Sequence, residues 1–181
     1  MLKVLAVDPG LSGAVVVVNE NGALVRLARD FKDLKSLVRE ILNFQIWEAP
    51  PIQVIELVSA RPGQRVTSMF TFGRATGVAL GQLLSYPHPV IEIVPQAWQQ
   101  FWGLLYLGKD SRAIAMEMLG ADHPALRRKK DHNTADAYLL GMYAVRQLQQ
   151  GKLVSSRKKD LDRVGTCPEF SLPVVEGLDP T

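Results

Sequence analysis

Carboxylates set into apolar runs are the first sign of chemistry in this chain. Asp8 ends the run that begins at Lys3, and Glu56 interrupts the run IQVIELV over 52–58. An unpaired charge on a strand buried on both faces is costly, so something cationic is expected beside these two. Asp8 precedes proline, which biases it to an extended conformation, and Gly10 permits a sharp turn after it. A third acid, Asp136, sits in KDHNTADAYLLGMY, where Ala137, Leu140 and Tyr143 mark the apolar side of a helix. At about 100° per residue, His132 stands about 40° from Asp136, Asn133 about 60° and Asp131 about 140°. His132 therefore shares the face of Asp136 best, and Asp131 joins it only if the helix begins after Asp131 and the chain bends there. Two strand-borne acids and a helix-borne His/Asp pair make a set of donors suited to hard divalent cations. Taken singly, each has a plainer use: Asp8 capping a turn, Glu56 pairing with a core arginine, Asp131 or Asn133 as an N-cap.

The elements that must bring these residues together can be read from periodicity. A strand over Lys3–Val7 is followed by a β-branched run, Ala14–Asn19, and Asn21-Gly22 is a hairpin signal leading to a third strand over Ala23–Ala28. Leu34, Leu37, Val38, Ile41 and Leu42 recur at helical spacing over 31–46, before Pro50-Pro51. A fourth strand over 52–58 and a fifth over 89–94 flank a helix over Val66–Leu84. Short helices follow at 96–102 and 109–119, then a last one over 133–149. A strand after a crossover helix commonly lies beside the first strand, which puts Glu56 next to Asp8. The expected architecture is α/β: a five-stranded mixed sheet, an antiparallel three-stranded meander plus two parallel strands, flanked by helices. Gly73, Gly77 and Gly81 share one side of the helix over 66–84. Three helix-weakening residues in register predict that another backbone approaches there, from the chain's own sheet or from a second subunit.

Length and composition bound the reading further. The chain has 181 residues, 47% hydrophobic, enough for one full core. A domain over 1–151 and a basic C-terminal appendage over 152–181 are expected. The net charge is only +3, but from Arg127 to Arg163 ten Lys or Arg face four Asp or Glu. The single cysteine, Cys167, excludes an internal disulfide framework and suits a reducing compartment. No stretch approaches about 18 uninterrupted apolar residues and no leader pattern opens the chain, so a cytoplasmic protein without membrane partners is expected.

At these residues the sequence resembles the RuvC-type Holliday junction resolvases of the ribonuclease H superfamily, especially those of phages and organelles. The resemblance is carried by AVDPGLSGAVVV, by VIELVSARPGQRVTSMFTFGRATGVALGQL and by KKDHNTADAYLLGMY. The middle block is its most specific part. It implies a ribonuclease H-like fold, with Asp8, Glu56 and Asp136 as catalytic acids binding two divalent cations, Mg2+ with Mn2+ able to substitute, and no small-molecule cofactor. The family's fourth position, usually an aspartate three or four residues before the last acid and in some members a histidine, falls on Asn133 or His132. His132 is taken here as ligand or proton carrier, with Asp131 as a further candidate ligand. The aromatic wedge of the bacterial branch has Ser59 in its neighbourhood, which would pass base stacking to Met69, Phe70 or Phe72. The implied localisation is the cytoplasm, or that of the host if a phage encodes the chain.

The implied activity is hydrolysis of phosphodiesters at a four-way DNA junction, leaving 5′-phosphate and 3′-hydroxyl nicks, by a homodimer with two sites. Acidic ligands repel DNA, so cations must attract it. Arg61, Arg65 and Arg74, with Gln64, follow Glu56, and Arg127, Arg128, Lys129 and Lys130 lead into the last helix. Other ribonuclease H-like nucleases, acting on branched DNA or RNA/DNA hybrids, share every catalytic residue. A junction-binding protein with a degenerate site is the reading from another class. An actin-like ATPase needs two such domains and more phosphate loops than this length supplies.

Overall fold

β-Branched runs build the sheet of the computed structural model, which describes residues 2–10, 12–29, 51–59, 63–86 and 88–153. Strands β1 (Lys3–Asp8), β2 (Ala14–Asn19) and β3 (Leu24–Arg29) form an antiparallel meander. β4 (Ile52–Glu56) and β5 (Val90–Ile93) add parallel to β1, giving the order β3-β2-β1-β4-β5. This is the mixed five-stranded sheet expected from the sequence. The hairpin between β2 and β3 closes as Asn21-Gly22 predicts. Gly22 takes φ 87°, and Asn19 Oδ1 accepts from the backbone N–H of Asn21 at 3.1 Å and Ala23 at 2.9 Å.

The described helices are α1 (Val66–Leu84), α2 (Pro95–Phe101), α3 (Ser111–Leu119) and α4 (His132–Gln149), with 3-10 turns at Pro124–Leu126 and Lys129–Asp131. The helix expected over 31–46 lies outside the described residues, as does the appendage beyond Leu153. No helix among the described residues is long and apolar enough to cross a membrane.

Alternation along the strands divides the core in two. Val4, Ala6, Val16, Val18 and Val54 join a cluster with Ala135, Tyr138, Leu139 and Met142 of α4. Leu5, Val7, Val15, Val17 and Ile55 meet Ala79 and Leu83 of α1 on the other face. The tyrosine of α4 also ties the helix to the hairpin, its hydroxyl donating to the Gly22 carbonyl at 2.8 Å. Burial raises that Tyr138 hydroxyl to about 12.

The glycines correct half of one expectation, the approach of the chain's own sheet. Gly73, Gly77 and Gly81 face outward on α1, and a Cβ on any of them would meet nothing within 4 Å among the described residues. The helix is long, only Ala79 and Leu83 on it are buried, and the glycine side is turned away from the sheet. The close backbone approach occurs instead at Gly141 of α4, where a Cβ would stand 3.0 Å from Val18 Cγ2 and 3.2 Å from the Cβ of Ala6. Both neighbours are stiff core groups, so α4 could accept a side chain there only by lifting off the sheet. Gly141→Ala is expected to lower stability by about 1–2 kcal/mol in urea denaturation, overpacking outweighing the gain in helix propensity. A stabilised variant would show that α4 rides higher than described.

Candidate active site

Strand parity decides which way the acids face. Asp8 continues the alternation of Val4 and Ala6, and Glu56 that of Val54, so both turn to the face covered by α4. The register pairs Val7 with Ile55, which makes Asp8 and Glu56 next neighbours at the carboxyl ends of two parallel strands. α4 seats Gly141 on Ala6, and Asp136, five residues earlier and so about 7.5 Å back along the axis, reaches the Asp8 end.

The electrostatics agree with that convergence. Asp8 is held well above the ordinary carboxylate value, first by burial, then by the negative charges of Glu56 and Asp136. Asp136 is also raised, chiefly by burial; a hydrogen bond from Ser111 and the charge of His132 oppose this, and Asp110 adds to it. Ser111 opens α3, whose N-cap Asp110 accepts from the backbone N–H of Arg112 at 3.3 Å. Glu56 receives a hydrogen bond from the indole of Trp98, Nε1 to Oε1, at 3.1 Å. The Asn133 amide donates to both the carbonyl and the hydroxyl of Ser12, clipping the turn after β1 onto the first turn of α4.

Asp8 and Glu56 lie on a cleft of about 820 Å³ whose other lining includes Ser12, Gln64, Thr67, Ser68, Gln96 and Asn133. His132 is exposed, one helical turn before Asp136, and lines a smaller cavity of about 120 Å³ that shares Ser12 and Asn133 with the cleft. Asp131, read from the sequence as a further ligand, has another use here. It is 2% exposed and accepts from Arg128 through Nη2 at 2.7 Å, Nε at 3.0 Å and the backbone N–H at 2.8 Å, closing the turn that delivers α4. Arg128 is thereby engaged as well.

Of the other basic candidates, Arg65, Arg74, Arg127, Lys129 and Lys130 are exposed, and Arg61 lies outside the described residues. Arg112 holds the basic segment in place, donating to the carbonyls of Leu126 at 2.8 Å and Arg127 at 3.3 Å. Of the three stacking candidates, Phe70 is 73% exposed on α1, Phe72 lines the cleft beside Gly10, and Met69 is half-buried.

The donor chemistry suits hard divalent cations: Asp8, Glu56 and Asp136 supply carboxylate oxygens, and Glu56 and Asp136 each place a negative charge near Asp8 that a cation would relieve. Among the described residues no group of three His, Cys, Asp or Glu side chains is set to hold one metal ion. The two observations are compatible, because repulsion acts over longer distances than ligation. Asp8, Glu56 and Asp136 are near enough to repel and are not drawn around one point.

Trp98, Ser111 and Ser12 were not found from the sequence. Trp98 did carry a signal, since it follows Pro95 by three residues on the helix that leaves the strand next to Glu56. Ser111 and Ser12 carried none, being serines in polar connecting segments.

The raised carboxyls set a pH dependence. A carboxyl whose folded value lies above its unfolded one binds its proton more tightly when folded, so stability falls as pH rises from the ordinary carboxylate value through the raised one. Without divalent ions, Asp8→Asn is expected to raise the melting temperature at pH 7, with the gain vanishing below about pH 3.5, where both forms of the wild-type carboxyl are protonated. A variant less stable at pH 7 would mean that Asp8 serves the fold as a turn cap.

No family model matches the sequence, and no curated protein does. Among solved structures the chain is similar to T. thermophilus RuvC in complex with Holliday junction substrate, at 15% identity over 84% of this chain and 98% of that one, TM-score 0.61. It is similar to a second structure of Thermus thermophilus RuvC, at 19% identity over 83% of this chain and 98% of that one, TM-score 0.60. A third likeness is to the fowlpox virus Holliday junction resolvase, at 14% identity over 81% and 99%, TM-score 0.50. The likeness is one of architecture, spanning nearly the whole of each neighbour: the chain has a RuvC-like, ribonuclease H-like fold.

Proposed function

We propose that this chain is a structure-selective endonuclease that resolves four-way DNA junctions by paired hydrolysis, leaving 5′-phosphate and 3′-hydroxyl ends. The observation that carries the reading is the approach of Glu56 and Asp136 to Asp8 at the carboxyl ends of parallel strands, on a fold shared with RuvC in complex with Holliday junction substrate and with the fowlpox virus Holliday junction resolvase. Asp8, Glu56 and Asp136, with His132 at the rim, would hold two divalent ions, Mg2+ or Mn2+. Such ions supply activation of the attacking water and stabilisation of the departing 3′ oxygen. The chain's own residues orient that chemistry. Trp98 and Ser111 hold two of the carboxylates, and Asn133 fixes the turn after Asp8. Gln64 in the cleft and Arg65, Arg74, Arg127, Lys129 and Lys130 outside it would bind the phosphate backbone, positioning the duplex arms without reading sequence.

Symmetric cutting calls for two sites, and α1 offers a surface for a second copy. Val66, Phe70, Gly73, Gly77, Gly81 and Leu84 recur at steps of three and four, with Val66 75% and Phe70 73% exposed. Small residues at such spacing let two helices approach closely. A junction-binding protein with a degenerate site is the second reading. It is favoured by Asn133, whose amide is committed to Ser12 at a position where relatives commonly carry an acid.

Junction, flap, RNA/DNA hybrid and linear duplex, each incubated with Mg2+ or Mn2+, separate the readings. Paired nicks on the junction alone are expected. Asp8→Asn should reduce cleavage at least about 1,000-fold, in the range of removing a principal electrostatic group, while junction affinity stays within about threefold. Binding without cleavage in either ion would favour the degenerate site. Light scattering should give a dimer. Gly77→Leu should weaken it at least about tenfold, about 1.4 kcal/mol, and leave the monomer folded. A wild-type monomer at concentrations that support cleavage would refute the dimer.

A further inference from the structure

Glu56 and the indole of Trp98 are joined by a hydrogen bond that crosses from the site into the core. Nε1 of Trp98 donates to Oε1 of Glu56 at 3.1 Å, and Trp98 is 3% exposed. An indole N–H can only donate, and once buried it must find an acceptor or bear the cost of desolvation. The ring belongs to the same apolar cluster as Ile93, Ala135 and Leu139, so it is not free to follow a departing carboxylate.

Donor and acceptor are also fixed to one another through the sheet. Glu56 pairs with Ile93 in register, and the Leu57 N–H donates to the Ile93 carbonyl at 2.8 Å. Two residues beyond Ile93, Pro95 starts α2 directly off β5, and Trp98 lies on its first turn. The proline presets the helical φ at that position, so the angle at which the ring meets Glu56 is set by backbone geometry.

A half-buried Asp8 next to Glu56 raises the question of why Glu56 does not swing out to water. Two like charges at adjacent strand ends lose repulsion if the longer side chain rotates away. Such a rotation would strand the buried Trp98 donor. We propose that Trp98 is a positioning residue, its indole N–H tethering the Glu56 carboxylate beside Asp8 so that the pair is already assembled when divalent cations arrive. This rests on the nuclease reading and adds to it a reason why the carboxylates stay together without an ion.

The tether is tested on the full chain by calorimetry with Mn2+ in the absence of DNA. Trp98→Phe keeps the ring and removes the donor; it should bind Mn2+ about tenfold more weakly. It should also need about tenfold more Mg2+ for half-maximal cleavage, with kcat at saturating ion within about threefold of wild type. If it binds Mn2+ as tightly as wild type, the tether is overturned and the nuclease reading stands. If wild type itself binds no Mn2+, both fall. A second measurement does not depend on that variant folding. The indole N–H resonance of Trp98, identified from Trp47→Phe and Trp102→Phe, should shift on Mg2+ titration of wild type and stay fixed in Glu56→Gln. A Trp98 resonance that ignores Mg2+ in wild type overturns the proposal.

Discussion

Adjacent strands of a parallel sheet leave their last residues side by side, and in this chain those residues are Asp8 and Glu56. The register that pairs Val7 with Ile55 is set by apolar packing on two faces, and the carboxylates have no vote in it. Hydrophobic burial along strands of six and five residues therefore holds together charges that would separate in water. The Asp8 carboxyl is raised in consequence, by burial first and then by the charges of Glu56 and Asp136. A fold tolerates a locally unfavourable cluster only where the surrounding structure over-determines it, and here both sheet faces and α4 do so.

The surroundings of the cluster show how each acid is kept from escaping. Glu56 is held by an indole from α2, Asp136 by a hydroxyl from α3, and the turn after Asp8 by an amide from α4. All three neutral donors come from the first turns of helices. Neutral donors orient a carboxylate while leaving its charge in place, whereas Arg128 pairs with Asp131 and neutralises it. The described residues thus contain two differently treated aspartates, the buried Asp131 completed by an arginine three residues away and the half-buried Asp8 facing like charge.

Much of this was legible in the sequence because periodicity and turn chemistry point the same way. The β-branched runs, the Asn21-Gly22 turn and the long apolar-faced last helix each specify one element, and acids inside apolar runs stand out against such a background. Of the two neighbours expected for the glycines of α1, the chain's own sheet is the one the structure removes, because helical spacing shows which residues share a face without showing what that face meets. Gly141, in the middle of a helix and without a repeat, is the one that touches the sheet. Asp131 shows what helical angles leave out: a 3-10 turn precedes the helix, and it lets Arg128 reach Asp131, a pairing that the comparison with Asp136 alone does not reveal. Partners such as Trp98 and Ser111 depend on how α2 and α3 leave the sheet, which no local pattern encodes.

The makeup of the cleft has its own consequence. Two carboxylates look into it, the rest of its described lining is hydroxyl, amide and apolar, and no lysine or arginine is among those residues. To an arriving polyanion such a hollow is a hill in potential, ringed at a distance by the cations of α1 and of the segment before α4. Under the proposed function, nucleic acid would be caught first on that outer ring and lowered inward only after the floor has been neutralised, which makes the order of arrival part of the molecule's selectivity.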